Sequence, residues 1–374
     1  MTIHILLVSA QAAPNLLPAL DSSMKPTEAI LLVSKAMSSR ADALEKVLKE
    51  SGVKTSRIAL ANEHDFTVME STLLDIAAAQ ENQDIALNLT GGTKLMALAA
   101  QSIAQAANWR MFYVDADTDE VIWLGKNAQT PHKLSEQLRL RHYLRAYGFE
   151  LQESPNRPQA TRAQRDLTQT LITQIGSLEA PITQLNWLAQ QAEDRRQLTI
   201  QMNQTQQDSR SLEALLRNFT DAGILSVKGD HITFPDEVAR DFVKGGWLEH
   251  HVYDVVANVT GDLAIRDKAM NLTVSNQGVI NELDIALMAR NRLFVIECKT
   301  ARMDKPEAPK ANDTLFKLSE VCRRVGGLGT RGMLASYRPL RPSEMKLAQA
   351  LNIELVCGNE LTNLNGRLKS WIRK

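Results

Sequence analysis

Apolar and polar positions along the chain follow two periods. Up to about residue 125, the short apolar runs Ile3 to Val8, Ala29 to Val33, Val53 to Leu60, Asp84 to Leu89 and Arg110 to Val114 alternate with amphipathic segments, Ser38 to Glu50, Phe66 to Ala79 and Lys94 to Ala107. Short apolar-rich runs of this length fit strands buried on both faces of a mainly parallel sheet, and the segments between them fit its covering helices. An α/β domain is therefore predicted. A hairpin closes it, from Met111 to Val114 and Val121 to Leu124 around "DADTDE".

The stretch "ESPNRPQATRAQ", residues 153 to 164, is polar and proline-bearing and reads as a linker. From about Ala163 to Asp241 helices dominate, and "SRSLEALLRNFTDAGILSVKGDHITFPDE" has the order helix, Gly turn, strand, Gly-Asp turn, strand. This order resembles the last helix and wing of a winged-helix module. The helix from Ser209 to Phe219 carries only Arg210, Arg217 and a cancelling Glu213, which favours a connecting or dimerising role over DNA contact. Beyond Lys244 the pattern predicts a helix from Gly246 to Ala257 and strands near Leu263, near Leu272, at Val279 to Leu287 and at Leu293 to Cys298. A helix from Ala311 to Val325, a strand Gly332 to Ser336, a helix Ser343 to Ala350, a strand Ile353 to Val356 and a last helix ending in "LKSWIRK" complete it. Three units follow: an α/β domain at 1–152, a linker and winged-helix-like connector at 153–243, and a second α/β domain at 244–374.

Composition changes this picture little. A chain of 374 residues with 44% hydrophobic content suits two or three packed domains. Lys+Arg and Asp+Glu both total 43, so no overall charge advertises nucleic acid, although bases outnumber acids between Ala286 and Lys346. Cys298, Cys322 and Cys357 are too few and too scattered for a disulfide framework or a zinc quartet, which fits a reducing, cytoplasmic interior. The start "MTIHILLVSAQ" lacks a basic leader and is too short to span a membrane, so no membrane partner is expected.

Candidate chemistry concentrates in two stretches. In "NELDIALMARNRLFVIECKT", two apolar-rich runs flank Asn291-Arg292 as in a hairpin, yet carry Asp284, Glu297 and Lys299. Strand alternation places Val295, Glu297 and Lys299 on one face and turns Cys298 into apolar packing. If the hairpin closes, Asp284 approaches Glu297, and two carboxylates that close repel unless a hard cation such as Mg²⁺ or Mn²⁺ lies between them. Lys299 would then orient an attacking water or stabilise charge on a phosphate in flight. Glu249, on the helix opening "GGWLEHHVYDVV", is a fourth candidate. A surface ion pair would explain Glu297 and Lys299 but not Asp284. His250 and His251 diverge as helix neighbours and read as structural.

The second stretch, "ALNLTGGTKLMALAAQ", runs from a buried strand through Thr90-Gly91-Gly92-Thr93-Lys94 into a helix. Glycines, a helix N-terminus, hydroxyls and an ammonium make a cradle for phosphate, with a plain helix cap as the bland alternative. The residues fit neither G-x-x-x-x-G-K-[ST] nor G-x-G-x-x-G, which argues against a Walker ATPase and a dinucleotide coenzyme. Ser9-Ala10-Gln11 and Ser34-Lys35 also follow strands, and would share the crevice beyond the strand ends.

The acidic hairpin resembles the PD-(D/E)xK nuclease superfamily: "ELD" supplies the acid of the second strand in Asp284, "ECK" supplies E-x-K in Glu297 and Lys299, and Glu249 matches the helical acid. Leu283 stands where the family name has proline. "NLTGGTK" after the fourth strand, in a domain joined to such a nuclease, resembles the CARF family of type III CRISPR ancillary effectors, and the likeness covers essentially the whole chain. The resemblance implies a Rossmann-like CARF domain, a winged-helix-like connector and a C-terminal restriction-endonuclease-like α/β domain. It implies a homodimer that binds a cyclic oligoadenylate, cyclic tetra-adenylate by preference, through Ser9, Ala10, Gln11, Ser34, Lys35, Thr90, Gly91, Gly92, Thr93 and Lys94. Activation would release a metal-dependent endonuclease on single-stranded RNA and/or DNA in antiviral defence, with Asp284, Glu297 and Glu249 holding Mn²⁺ or Mg²⁺. Two rivals stand beside it. One is a ligand-responsive transcription regulator binding DNA through the winged-helix-like segment, with an inactive C-terminal domain. The other is an enzyme that degrades its own cyclic ligand, disfavoured because no His or obvious general base stands beside the glycine turn.

Overall fold

The apolar runs of the first domain become the parallel strands β1 (Thr2–Leu7), β2 (Glu28–Val33), β3 (Lys54–Ala59), β4 (Asp84–Asn88) and β5 (Arg110–Asp115), and the hairpin strand becomes β6 (Glu120–Leu124). A computed structural model describes residues 2–126, 129–135, 138–152, 160–300 and 310–374. With β7 (His132–Lys133), the described strands form a sheet in the order β3-β2-β1-β4-β5-β6-β7. Its order reverses between β1 and β4, which opens a crevice at their C-terminal ends. The helices α1 (Ala13–Leu20), α2 (Ser38–Glu50), α3 (Phe66–Ala79) and α4 (Lys94–Ala106) cover its two faces. The apolar pattern missed α1: "APNLLPAL" carries two prolines, of which Pro14 sits in the first turn where a missing N–H costs nothing.

After α5 (Leu140–Ala146), the short strand β8 (Glu150–Leu151) leaves the first sheet's neighbourhood and pairs with the last domain. The predicted linker falls largely outside the described residues, and α6 (Arg162–Thr173) opens the connector. It continues through α7 (Ile175–Asp194), β9 (Thr199–Gln201), α8 (Gln204–Gln207), α9 (Arg210–Asp221), β10 (Ser226–Lys228), β11 (His231–Thr233) and α10 (Glu237–Asp241). The helix–turn–strand–turn–strand order holds, and β9 adds a third strand in the order β10-β11-β9.

The C-terminal domain consists of α11 (Trp247–Asn258), β12 (Asp267–Asn276), β13 (Val279–Ala289), β14 (Arg292–Lys299), α12 (Lys310–Gly326), β15 (Arg331–Ser336), α13 (Pro342–Ala350), β16 (Ile353–Cys357) and α14 (Leu364–Arg373). Its sheet has the order β16-β15-β14-β13-β12-β8. The strand expected near Leu263 does not form: the chain turns there, with Leu263 N donating to Val259 O and Ala264 at φ 49°, and Leu263 plugs the core instead.

This second sheet is a shared middle layer. One apolar core joins Leu6, Leu31 and Phe112 of the first domain through Tyr143 and Phe149 to Leu283, Val295 and Leu334 on one face of it. Another joins Leu171, Leu185 and Phe219 of the connector to Trp247, Ile285, Phe294 and Trp371 on the other face. Polar contacts reinforce the first seam: Tyr143 donates to Gly326 O at 2.9 Å, and Arg292 donates to Ala116 O and Asp117 O at 2.8 and 2.7 Å.

Candidate functional site

The acidic hairpin closes as its pattern requires, with Ile285 opposite Ile296 and Asp284 next in line with Glu297. On the other side of β13, pairing runs from Met270–Ile285 to Leu272–Leu283 and skips Asn271, which sits at φ 52°, and Asp284. This interruption breaks the strict alternation: Leu283 faces the core shared with the first domain and Ile285 the core shared with the connector. Asp284 is thereby turned toward β14, where its Oδ2 accepts from Cys298 N at 2.7 Å. Lys299 Nζ lies 2.6 Å from Glu297 Oε1 and 3.7 Å from Asp284 Oδ2.

Asp284, Lys299 and Glu249, the last from the first turn of α11, line one cavity of about 410 Å³, and Glu297 meets it through Lys299. Burial, then the charges of Glu297 and Glu249, push the Asp284 carboxyl up to about 7 against the pull of Lys299 and the Cys298 N–H. Burial alone would lower Lys299, but Asp284 and Glu297 hold its ammonium well above the usual lysine range. Among the described residues no three His, Cys, Asp or Glu side chains already surround one point, and Lys299 takes the space beside the two carboxylates. The donor set nevertheless suits a hard divalent cation. Burial first and then repulsion from Glu297 and Glu249 raise Asp284, and a cation would relieve the repulsion. Asp284, Glu297 and Lys299 thus lie side by side, and Glu249 lines the same cavity as Asp284 and Lys299. Neither neighbouring histidine lines the cavity: His251 is half-buried, with its pKa lowered to about 4 by desolvation, and His250 packs against Phe242. Glu282 and Lys244 line the cavity as well and were not anticipated, although Glu282 opens the same Glu-Leu-Asp triplet as Asp284.

A second cavity, of about 510 Å³, lies at the crevice between β1 and β4. Of the predicted ligand residues, Ser9, Ala10, Gln11, Ser34, Thr90, Gly92 and Thr93 line it, whereas Lys35, Gly91 and Lys94 do not. Gly91 serves close packing, since a Cβ there would collide with Leu7 O. Thr93 caps α4 by accepting from Met96 N at 3.2 Å, and Lys94 is exposed on the first turn. The turn is shaped from beneath by Asn88, whose Oδ1 accepts from Thr90 N and Thr90 Oγ1 at 3.0 and 2.7 Å and whose Nδ2 donates to Asn15 Oδ1 at 2.9 Å. Glu63, in the turn after β3, also lines the cavity. The strand-end rule applied to β3 as well would have found it.

Two family models match. That of the Card1 CARF domain matches residues 3–143, and that of the Card1-like endonuclease domain matches residues 236–374. The chain belongs to the Card1-like CARF endonucleases. Its fold over the full length is that of protein VC1899 from Vibrio cholerae, at 26% identity and a TM-score of 0.90, covering 100% of this chain and 98% of that one. Can2 from Sulfobacillus thermosulfidooxidans, solved in complex with cyclic tetra-adenylate, is 25% identical with a TM-score of 0.83 and covers 100% of this chain and 99% of its own. A type III CRISPR defence DNA nuclease activated by cyclic oligoadenylate shares the fold at 20% identity and a TM-score of 0.57, over 94% of this chain and 47% of that one. No curated protein matches the chain. Among the described residues no helix is long and apolar enough to cross a membrane.

Proposed function

We propose that this Card1-like CARF endonuclease is a homodimeric, metal-dependent phosphodiesterase switched on by cyclic tetra-adenylate, and that it cuts single-stranded RNA or DNA in type III CRISPR antiviral defence. The observation that carries the reading is the cluster of Asp284, Glu297 and Lys299 facing Glu249 across one cavity. A pair of half-buried carboxylates beside a half-buried ammonium is costly to assemble and marks a functional site. Asp284, Glu297 and Glu249 would hold Mg²⁺ or Mn²⁺, which when bound supplies Lewis-acid stabilisation of phosphate charge and an acidified water. Lys299 donates to the charge that develops on the phosphoryl oxygens. It is held protonated by the same carboxylates, so its charge does not depend on pH in the neutral range.

The cavity at the first crevice receives the cyclic ligand. Its lining of hydroxyls, backbone amides and the N-terminus of α4 suits phosphate, and its Met37 and Met96 suit a flat base. Likeness to Can2, solved with cyclic tetra-adenylate, supports that ring size. A seam from the ligand cavity into the last domain supports coupling. Gln11 of the ligand cavity accepts from Tyr147 Oη at 3.2 Å and fills the space beside Gly327 at the end of α12. Tyr147 stacks on Tyr143, which donates to Gly326 O. For such a seam to gate cleavage, the ligand must bind the active arrangement more tightly than the resting one.

The test incubates labelled single-stranded RNA, single-stranded DNA and plasmid with Mn²⁺ or Mg²⁺, with and without cyclic tetra-adenylate. Ligand-dependent cutting that disappears in Asp284→Ala supports the nuclease. Sequence-specific duplex binding without cutting would instead establish the transcription regulator.

A further inference from the structure

The catalytic cavity has a wall that belongs to another module. On α7 of the connector, Asn186, Gln190 and Glu193 follow one another at helical spacing on a single face, and Gln190 lines the cavity. Glu193 grips Lys244 Nζ with both oxygens at 2.7 Å, beside the same cavity. Asn186 is buried, at 8% exposure, and so is Thr300, at 6%, the residue that follows Lys299. With its amide oriented to satisfy every partner, Asn186 accepts from the Thr300 hydroxyl at 3.0 Å and donates to Val243 O at 2.9 Å and Ile182 O at 3.2 Å.

Two of these partners, Thr300 and Val243, lead to candidate catalytic residues. Thr300 directly follows the strand that carries Glu297 and Lys299. Val243 leads through Lys244, Gly245 and Gly246 into α11 and Glu249. The fit around Thr300 is tight, since a Cβ on Gly245 would lie 2.5 Å from Thr300 Oγ1. One buried amide therefore ties the strand that bears two of the site's charged groups to the helix that bears the third acid.

We propose that Asn186 and Thr300 are positioning residues of the catalytic site, and that this amide–hydroxyl lock sets the separation of the cation-binding carboxylates from within the connector. The inference rests on the reading above, that Asp284, Glu297 and Glu249 hold a divalent cation. Thr300 also lines the cavity, and the lock acts through the backbone of β14 and of the turn before α11. Buried hydrogen bonds of this kind fix a geometry because breaking one strands its partner away from water. Groups that orient metal-binding carboxylates change metal affinity or activity by about 10- to 100-fold when removed.

The experiment compares full-length wild type with Thr300→Val, which keeps the shape and loses the hydroxyl, Thr300→Ser, which keeps the hydroxyl, and Asn186→Leu. Three quantities are read on protein shown to be folded by its thermal midpoint: Mn²⁺ affinity by calorimetry, kcat and KM on a labelled single strand at saturating cyclic tetra-adenylate, and affinity for cyclic tetra-adenylate. Thr300→Val and Asn186→Leu are expected to weaken Mn²⁺ binding about 10-fold or more and to lower kcat with KM unchanged. Thr300→Ser stays close to wild type, and all variants bind the cyclic ligand normally. Wild-type Mn²⁺ affinity and kcat in folded Thr300→Val, or equal losses in the Ser and Val variants, would overturn the lock while leaving the cation site standing. Failure of wild type itself to take up Mn²⁺ would remove both.

Discussion

The two cavities are built from opposite materials. The one at the first crevice is made of turns: hydroxyls, amides, small side chains and a helix terminus, with Glu63 as the charged side chain among its described lining. The one between the last domain and the connector is made largely of charged side chains on β13, β14 and the start of α11, held by burial and by one another. A cavity of backbone and hydroxyls is assembled by the fold at little electrostatic cost and suits reversible binding of a ready-made ligand. A cavity of crowded charges stores repulsion that a cation relieves, and suits chemistry.

If the contrast is right, substitutions divide the two activities cleanly. Asp284→Ala and Glu297→Ala should reduce cleavage by more than about 100-fold, since they delete groups closer to the cation than those whose loss costs 10- to 100-fold. Cyclic tetra-adenylate affinity should be unchanged. Cleavage measured under single-turnover conditions beside ligand titration reads both, and parallel losses would show the cavities are not separable. Lys299→Ala should lower kcat by about 100-fold while Mn²⁺ uptake persists, and near-normal turnover would reduce Lys299 to an ion-pair partner of Glu297.

At the first cavity, Ser34→Ala should weaken cyclic tetra-adenylate by about tenfold, the worth of one hydrogen bond to a charged group. Lys94→Ala, exposed and outside the lining, should change it far less. The smallest effect is on stability. Asp284 keeps its proton in the folded protein up to about 7, whereas its ordinary value is 3.8. The cation-free protein should therefore lose stability as pH rises from about 4 to about 7 and stay level above it. Asp284→Asn removes that loss: the two proteins should match near pH 4, and the variant should be the more stable of the two at pH 8. Denaturant melts across pH check this, and a variant that is less stable at pH 8 would show that the carboxylate is a net support.

The same contrast explains what could be read before the structure. Charges inside an apolar strand need a reason, so Asp284, Glu297 and Lys299 singled themselves out, and the hairpin register brought them together. Glycines need no such reason. Gly91 is there because Leu7 O leaves no room for a Cβ, and Gly92, at φ 74°, makes the turn at the cavity wall. Sequence alone does not separate packing from recognition in "TGGTK". The strand and helix order was legible because buried strands and amphipathic helices repeat with fixed periods. Leu263 misled because a buried leucine in a turn has the same pattern as one in a strand. The Asn186–Thr300 contact was out of reach, since it joins positions 114 residues apart whose types are ordinary on any surface.

The central claim, that the acidic cavity is a cation site, is tested most directly by calorimetric titration of Mn²⁺ at pH 6 in two buffers of different ionisation heat. A carboxyl raised to about 7 is protonated there and must lose its proton to the ion. Wild type should take up Mn²⁺ with release of about one proton, and Asp284→Asn should release none. Absence of Mn²⁺ uptake by wild type, or uptake with the same proton release in the Asp284→Asn variant, would contradict the account.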